Sequence, residues 1–263
     1  MIIRLVLAAL ATSSVLLPPV HAAEPAKPAR LILVGDSTMA GNSGYGDAFC
    51  ARVHRANTCI NLAKGGRSSG SFRAEGRWDE VEGLLRGAAA YSTTYVLIQF
   101  GHNDQPGKPG RSTDLATEFP ANMTRYAQEV KALGGIPVLV TPLTRRIFKD
   151  GVLQNNLLPW ADVIRATAKA QQVALLDLNA DSFAAVQAMG PEQANTFAVA
   201  PPPAKKDAAE LTSGNVEVAG AAKSAFDYTH LGHKGAAYFA NMVVGEMTKA
   251  VPVSAGLFIT PRP

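Results

Sequence analysis

"YVLIQFGHND", Tyr95 to Asp104, passes in one step from an apolar run to a cluster of hydrogen-bonding groups. An unbroken apolar run, rather than an alternating one, is what a strand covered on both faces looks like. Polar residues at its carboxyl end then lie where open parallel sheets bind their ligands. The stretch therefore predicts both a fold and the edge of that fold at which chemistry takes place.

Four further runs share the pattern: "LILV" (Leu31 to Val34), "TCINLA" (Thr58 to Ala63), "IPVLVT" (Ile136 to Thr141) and "VALLDL" (Val173 to Leu178). Helical periodicity falls between and after them, over roughly 45–55, 77–90, 115–133, 159–170, 180–189 and 234–250. Strand–helix alternation with right-handed crossovers predicts an α/β protein, a three-layer α/β/α sandwich around a five-stranded parallel sheet. The rhythm breaks from Ala198 to Phe226, where Pro201-Pro202-Pro203 sits among Gly, Ala and charged residues, and a long surface excursion is expected.

The amino terminus, "MIIRLVLAALATSSVLLPPVHA", has one early cation, Arg4, an apolar core from Leu5 to Leu17 and a small-x-small close at Val20-His21-Ala22. These are the parts of a secretory signal peptide, and its core is too short to span a bilayer as a helix. Residues 1–22 are expected to be removed, leaving 23–263 as a single domain, secreted or periplasmic, with no membrane span. At 47% hydrophobic residues the chain can build a substantial core. Its formal charge of +4 carries no clustered basic face of the kind nucleic acid requires, but favours an anionic substrate such as a uronic-acid polymer. Cys50 and Cys59 form a disulfide in an oxidising compartment or stay as two buried thiols; neither CxxC spacing nor a further cysteine suggests zinc.

Each predicted strand end carries polar residues. "GDSTMAG" follows the first, with Asp36 and Ser37; "KGGRSSGSF" follows the second, with Gly66 and Arg67; "GHND" follows the third, with His102, Asn103 and Asp104; "DYTHLGHKGA" precedes the last helix, with Asp227, His230 and His233. A serine alcohol is a poor nucleophile until a base takes its proton, and histidine is the usual base near neutral pH. Ser37 with His230 supplies that pair, and Asp227 can fix the histidine tautomer from three residues away. Taken singly, Ser37 reads equally as a helix cap and Gly65-Gly66 as an ordinary turn. Acyl transfer also needs donors for the oxyanion, and Gly66 N–H, the Asn103 amide and Ser37 N–H are the candidates.

In this order the blocks resemble the GDSL/SGNH hydrolase superfamily. "GDSTMA", "NLAKGGRSSGSF", "GRWDEV", "LIQFGHND" and "DYTHLGHKGA" are most similar to its rhamnogalacturonan acetylesterase family, over Leu31 to about Ala240. The resemblance implies a flavodoxin-like sandwich and a carbohydrate acetylesterase that works without a metal or other cofactor. It makes Ser37 the nucleophile, Gly66 and Asn103 oxyanion donors, and Asp227 with His230 the remainder of the triad. The substrate is then an acetylated polysaccharide or oligosaccharide of the rhamnogalacturonan or pectin type, acted on by a monomer. Two departures stand out: Gly44-Tyr45-Gly46 where the family often has Gly-Trp-Gly, and no acidic residue in "YSTTY" before the third strand.

Arg67 is the candidate partner for a galacturonate carboxylate, with a tie to an acidic residue of the protein as the alternative. His102 and Asp104 are expected to shape the turn that presents Asn103, with His102 also a candidate substrate contact. Three rival readings stay open: a metal site using His230, His233, Asp227, His102 and Asp104; a sugar-binding protein without activity; and the same chemistry on acetylxylan, a lipid ester or a thioester.

Overall fold

The computed structural model describes residues 27–200 and 226–259, so the predicted signal peptide and most of the Ala198 to Phe226 excursion lie outside it. Five parallel strands form the sheet: β1 Ala29–Gly35, β2 Thr58–Asn61, β3 Thr93–Gln99, β4 Ile136–Val140 and, after a small antiparallel ribbon of β5 Phe148–Lys149 and β6 Val152–Leu153, β7 Ala174–Leu176. Their order across the sheet is β2-β1-β3-β4-β7, the flavodoxin-like arrangement. β1 pairs with β3 along its whole length, from Ala29 against Thr93 to Gly35 against Gln99. All five predicted runs are therefore strands.

Successive side chains of a strand point to opposite faces, and the two cores divide accordingly. Leu31, Leu33, Tyr95, Leu97, Val138 and Val140 pack against α1 Gly46–Cys50, α6 Leu178–Asn195 and α7 His233–Ala250. Ile32, Val34, Val96, Ile98 and Leu139 pack against α2 Ser69–Ala74, α3 Arg77–Arg86, α4 Glu118–Ala132 and α5 Leu158–Gln171. Every one of those strand residues is buried, which is why the runs are apolar throughout instead of alternating.

The sequence pattern missed α2. Its "SSGSF" reads as a turn, yet Ser68 and Ser71 form a reciprocal capping box that starts a helix there. Cys50 and Cys59 are bridged, tying the end of α1 to β2 at the edge of the sheet. Among the described residues no helix is long and apolar enough to cross a membrane.

The strand order reverses between β1 and β3, which places a crevice at their carboxyl ends. The turn after β1 holds Ser37 and the turn after β3 holds Asn103, so both arrive at that crevice from adjacent strands.

Candidate active site

Ser37 sits in the turn that leaves β1, where Met39 and Ala40 N–H groups donate to the Asp36 carbonyl. Asp36 Oδ1 accepts from Thr38 N–H at 2.9 Å and from Thr38 Oγ1 at 2.8 Å, which locks the turn from beneath. The lock continues into β3: Gln99 donates to Thr38 Oγ1 at 2.6 Å and accepts from the Tyr45 hydroxyl at 2.8 Å. Tyr45 is fully buried, so here the departure from Gly-Trp-Gly supplies a hydroxyl to a polar chain under the nucleophile. Gly44 beside it is required by close approach, since a Cβ would meet the Thr38 carbonyl at 2.2 Å.

From this turn the Ser37 hydroxyl reaches His230 Nε2 at 2.8 Å, and His230 Nδ1 reaches Asp227 Oδ2 at 2.7 Å. Asp227 Oδ1 also accepts from the N–H groups of Thr229 and His230, each at 2.8 Å. Burial alone would raise the Asp227 carboxyl; the hydrogen bonds from the His230 ring and from these backbone groups outweigh it and hold the carboxyl well below the usual range. The pair is ordered as a base and its orienting carboxylate require.

The loop carrying Asp227 and His230 is held from below by a residue that sequence reasoning did not single out. Arg146, only 1% exposed, lies in the segment after β4. Its Nη2 donates to the carbonyls of Asp227 and His230 at 2.8 and 2.9 Å, and its backbone N–H donates to Tyr228 O at 2.9 Å. Burial lowers the Arg146 guanidinium to about 10, which leaves it charged at neutral pH. Ser43 makes a second tie: its hydroxyl donates to Ser37 O at 2.8 Å, and its carbonyl accepts from Leu231 N–H at 2.8 Å. The only hint in the sequence was "TRR" after an apolar run, which does not say where an arginine points.

On the other side of Ser37 stand the predicted oxyanion donors. Gly66 adopts φ +77°, a left-handed conformation that favours glycine, and its N–H has no acceptor among the described residues. The Ser37 N–H is free in the same sense. The Asn103 amide donates one hydrogen to Arg67 O at 3.0 Å, which orients the group and leaves its second hydrogen to donate. A Cβ placed on Gly65 would lie 3.7 Å from Ser37 Cβ, so the glycine turn abuts the nucleophile directly.

Asp104 braces this side. Fully buried, it accepts from Ser69 N–H and Oγ, from Gly101 N–H and from Thr113 Oγ1, and so joins the turn after β3 to the start of α2. Burial raises its carboxyl to about 6 against those hydrogen bonds.

Arg67 and His102, both expected to meet substrate, are engaged within the protein in the structure. Arg67 Nε pairs with Glu75 at 2.9 Å and its Nη1 donates to Gly65 O at 2.8 Å, so the internal tie is the one realised. His102 is 3% exposed, and its Nδ1 lies 3.2 Å from Asp36 Oδ2. Burial lowers the His102 pKa, against the raising effect of the Asp36 carboxylate beside it. Asp36 stays ionised: burial would raise its carboxyl, but His102 and Thr38 as donors lower it further. The histidine side chain thus braces the Ser37 turn through Asp36, a different turn from the Asn103 turn it was expected to shape.

The residues of the metal reading separate into distinct pairings: His230 with Asp227, His102 with Asp36, and Asp104 with Ser69 and Thr113. Among the described residues no group of three or more His, Cys, Asp or Glu is arranged to hold a metal ion.

A family model described as the GDSL-like lipase/acylhydrolase family matches residues 33–237. The chain is 35% identical over 182 residues to the rhamnogalacturonan acetylesterase RhgT of Bacillus subtilis, an alignment covering 66% of this chain and 75% of that one. It is 29% identical over 210 residues to the probable rhamnogalacturonan acetylesterase YesY of the same organism, covering 80% and 84% respectively. Solved structures share the fold at lower identity. Protein YXIM_BACsu of Bacillus subtilis superposes with a TM-score of 0.60 at 23% identity, over 86% of this chain but only 57% of that one. Axe2, an acetylxylan esterase from Geobacillus stearothermophilus, superposes with a TM-score of 0.56 at 16% identity, over 83% and 93%.

Proposed function

The chain belongs to the GDSL-like lipase/acylhydrolase family, and from that membership we propose that it is a serine esterase that removes acetyl groups from a plant cell-wall polysaccharide of the rhamnogalacturonan type. The observation that carries this reading is the unbroken relay Ser37 Oγ to His230 Nε2 at 2.8 Å and His230 Nδ1 to Asp227 at 2.7 Å, beside a glycine turn that comes close to Ser37. The substrate class follows the two relatives named rhamnogalacturonan acetylesterase. Residues 1–22 act as an export signal in this reading, which suits a protein whose polymer lies outside the cell.

The chemistry runs in two steps. His230 Nε2 takes the Ser37 proton as the hydroxyl oxygen attacks the acetyl carbonyl carbon. The carbonyl oxygen becomes an oxyanion among Ser37 N–H, Gly66 N–H and the Asn103 amide, while Asp227 stabilises the imidazolium. The C–O bond to the sugar breaks, His230 returns the proton to the sugar oxygen, and acetyl-Ser37 remains. Water, deprotonated by His230, repeats the sequence and releases acetate.

Acetate release by wild type and Ser37→Ala on acetylated rhamnogalacturonan, homogalacturonan and xylan tests the proposal. Release that depends on Ser37 and favours rhamnogalacturonan supports it. Serine-dependent release that favours xylan keeps the mechanism and overturns the substrate. A serine-directed phosphonate that labels a residue other than Ser37 overturns the mechanism.

A further inference from the structure

We propose that Arg111 forms an anion subsite beside the oxyanion side of Ser37, which receives the carboxylate of a uronic-acid unit at or next to the acetylated sugar. The inference rests on the polysaccharide reading above and names the substrate group that reading leaves open.

Three observations carry it. The first is position. A Cβ built on Gly66 would lie 3.6 Å from Arg111 Nη1, as a Cβ on Gly65 would lie 3.7 Å from Ser37 Cβ. Consecutive glycines of one turn thus stand close to Ser37 and to the guanidinium, and neither adds a side chain there.

The second is availability. Among the described residues the Arg111 guanidinium has no hydrogen bond, ion pair or ring contact. Three other cations from the loops at the strand ends are occupied. Arg67 is held by Glu75 and Gly65 O, Arg145 by Thr229 and Asn156, and Lys108 Nζ donates to His102 O at 2.6 Å. An unpaired guanidinium offers a planar fork matched to the two oxygens of a carboxylate.

The third is space. Arg111, Ser71, Thr113 and Asn122 line a cavity of about 420 Å³, room for more of the polymer than an acetyl group. The acidic side chain on its wall, Glu118, is turned to the Asp114 N–H at 2.7 Å. The loop that presents Arg111 is itself fixed, because Thr113 Oγ1 donates to buried Asp104 at 2.9 Å. Arg67, the sequence-level candidate for this role, is thereby replaced by an arginine on another loop.

The test compares wild type, Arg111→Gln and Arg111→Lys on acetylated rhamnogalacturonan oligosaccharides and on the same oligosaccharides with their carboxyl groups reduced to alcohols. Wild type is expected to prefer the carboxylated form by roughly tenfold or more in kcat/KM, the size of one charge-assisted hydrogen-bonded contact. Arg111→Gln should erase that preference through KM, and Arg111→Lys should retain part of it. A preference that survives Arg111→Gln, or equal losses on both substrates, overturns the subsite. Should wild type release acetate from neither, the esterase reading fails, and binding decides the subsite separately. Saturable binding of oligogalacturonate to Ser37→Ala that is lost in Ser37→Ala/Arg111→Gln would uphold it, and absence of binding would overturn it.

Discussion

The two sides of Ser37 are built to opposite specifications. On one side, Gly66, Asn103 and Asp104 come from the segments that follow β2 and β3, the strands flanking β1; Asn103 is 7% exposed and Asp104 not at all. On the other, the side chains of His230 and Asp227 are 35% and 41% exposed, on a loop between the described core and α7. In the mechanism proposed above, the oxyanion side must present donors already in place when charge develops, which a buried, cross-braced turn does well. The base side, in the same proposed mechanism, must pass a proton to and from the His230 ring, whose side chain is open to solvent. Its order comes from beneath, through Arg146 and Ser43, instead of from burial.

Removing the base gives the largest expected effect. His230→Ala should lower kcat by about 10⁴-fold or more, with Asp227→Asn close to the same loss because the ring is then free to take the wrong tautomer. Measured acetyl release within tenfold of wild type in either variant would assign the base elsewhere. Loss of one oxyanion donor ranks next: Asn103→Ala should lower kcat by about 10²–10³-fold with little change in KM. A variant that instead raised KM alone would make Asn103 a substrate-binding group and remove the contrast between the two sides.

The legibility of the two sides also differs. Strand ends were readable because apolar runs stop abruptly, and the residues following them, Ser37, Gly66 and Asn103, meet as the parallel order dictates. Ser37 and His230 are 193 residues apart in sequence, and the fold brings their side chains to 2.8 Å. The supports were not readable. Gln99, Tyr45 and Thr38 form one polar chain across separations of 54 and 61 residues, and nothing local marks a buried glutamine as paired. Arg67 and Arg111 illustrate the same limit. Both stand in glycine-containing loops, and only the fold shows that Glu75 engages the first, while the second has no partner among the described residues.

Arg146 tests whether the base side is held as argued. Arg146→Met keeps the apolar stem but removes the donors to the Asp227 and His230 carbonyls. A displaced general base costs up to about 10²-fold in kcat, so a loss of 10- to 100-fold with KM nearly unchanged is expected. Arg146→Lys should recover part of it, since one of its donors can reach toward the same carbonyls. A stability loss without a fall in kcat per folded molecule would reduce Arg146 to scaffolding and leave the base loop ordered by its own hydrogen bonds.

The smallest expected effect on activity concerns the buried brace opposite, whose part is in stability. Asp104 has its carboxyl raised by burial from 3.8 to about 6, so the folded protein holds that proton over a range in which the unfolded chain has released it. Its contribution to stability is therefore fully present below about pH 4 and falls as pH rises to about 6, by roughly 3 kcal/mol in all. Asp227 has the opposite sign: its lowered pKa adds stability above the ordinary carboxylate range, and that contribution is lost as the solution is acidified. Carboxyl carbon NMR should show Asp104 titrating near pH 6 while Asp227 stays ionised well below pH 4. Denaturant unfolding from pH 4 to 6 should fall less steeply with pH in Asp104→Asn than in wild type. A midpoint near 4 for Asp104 would mean that the donors from Ser69, Gly101 and Thr113 dominate its burial. The oxyanion side would then add no pH dependence of its own to stability, and only the base side would lose stability on acidification.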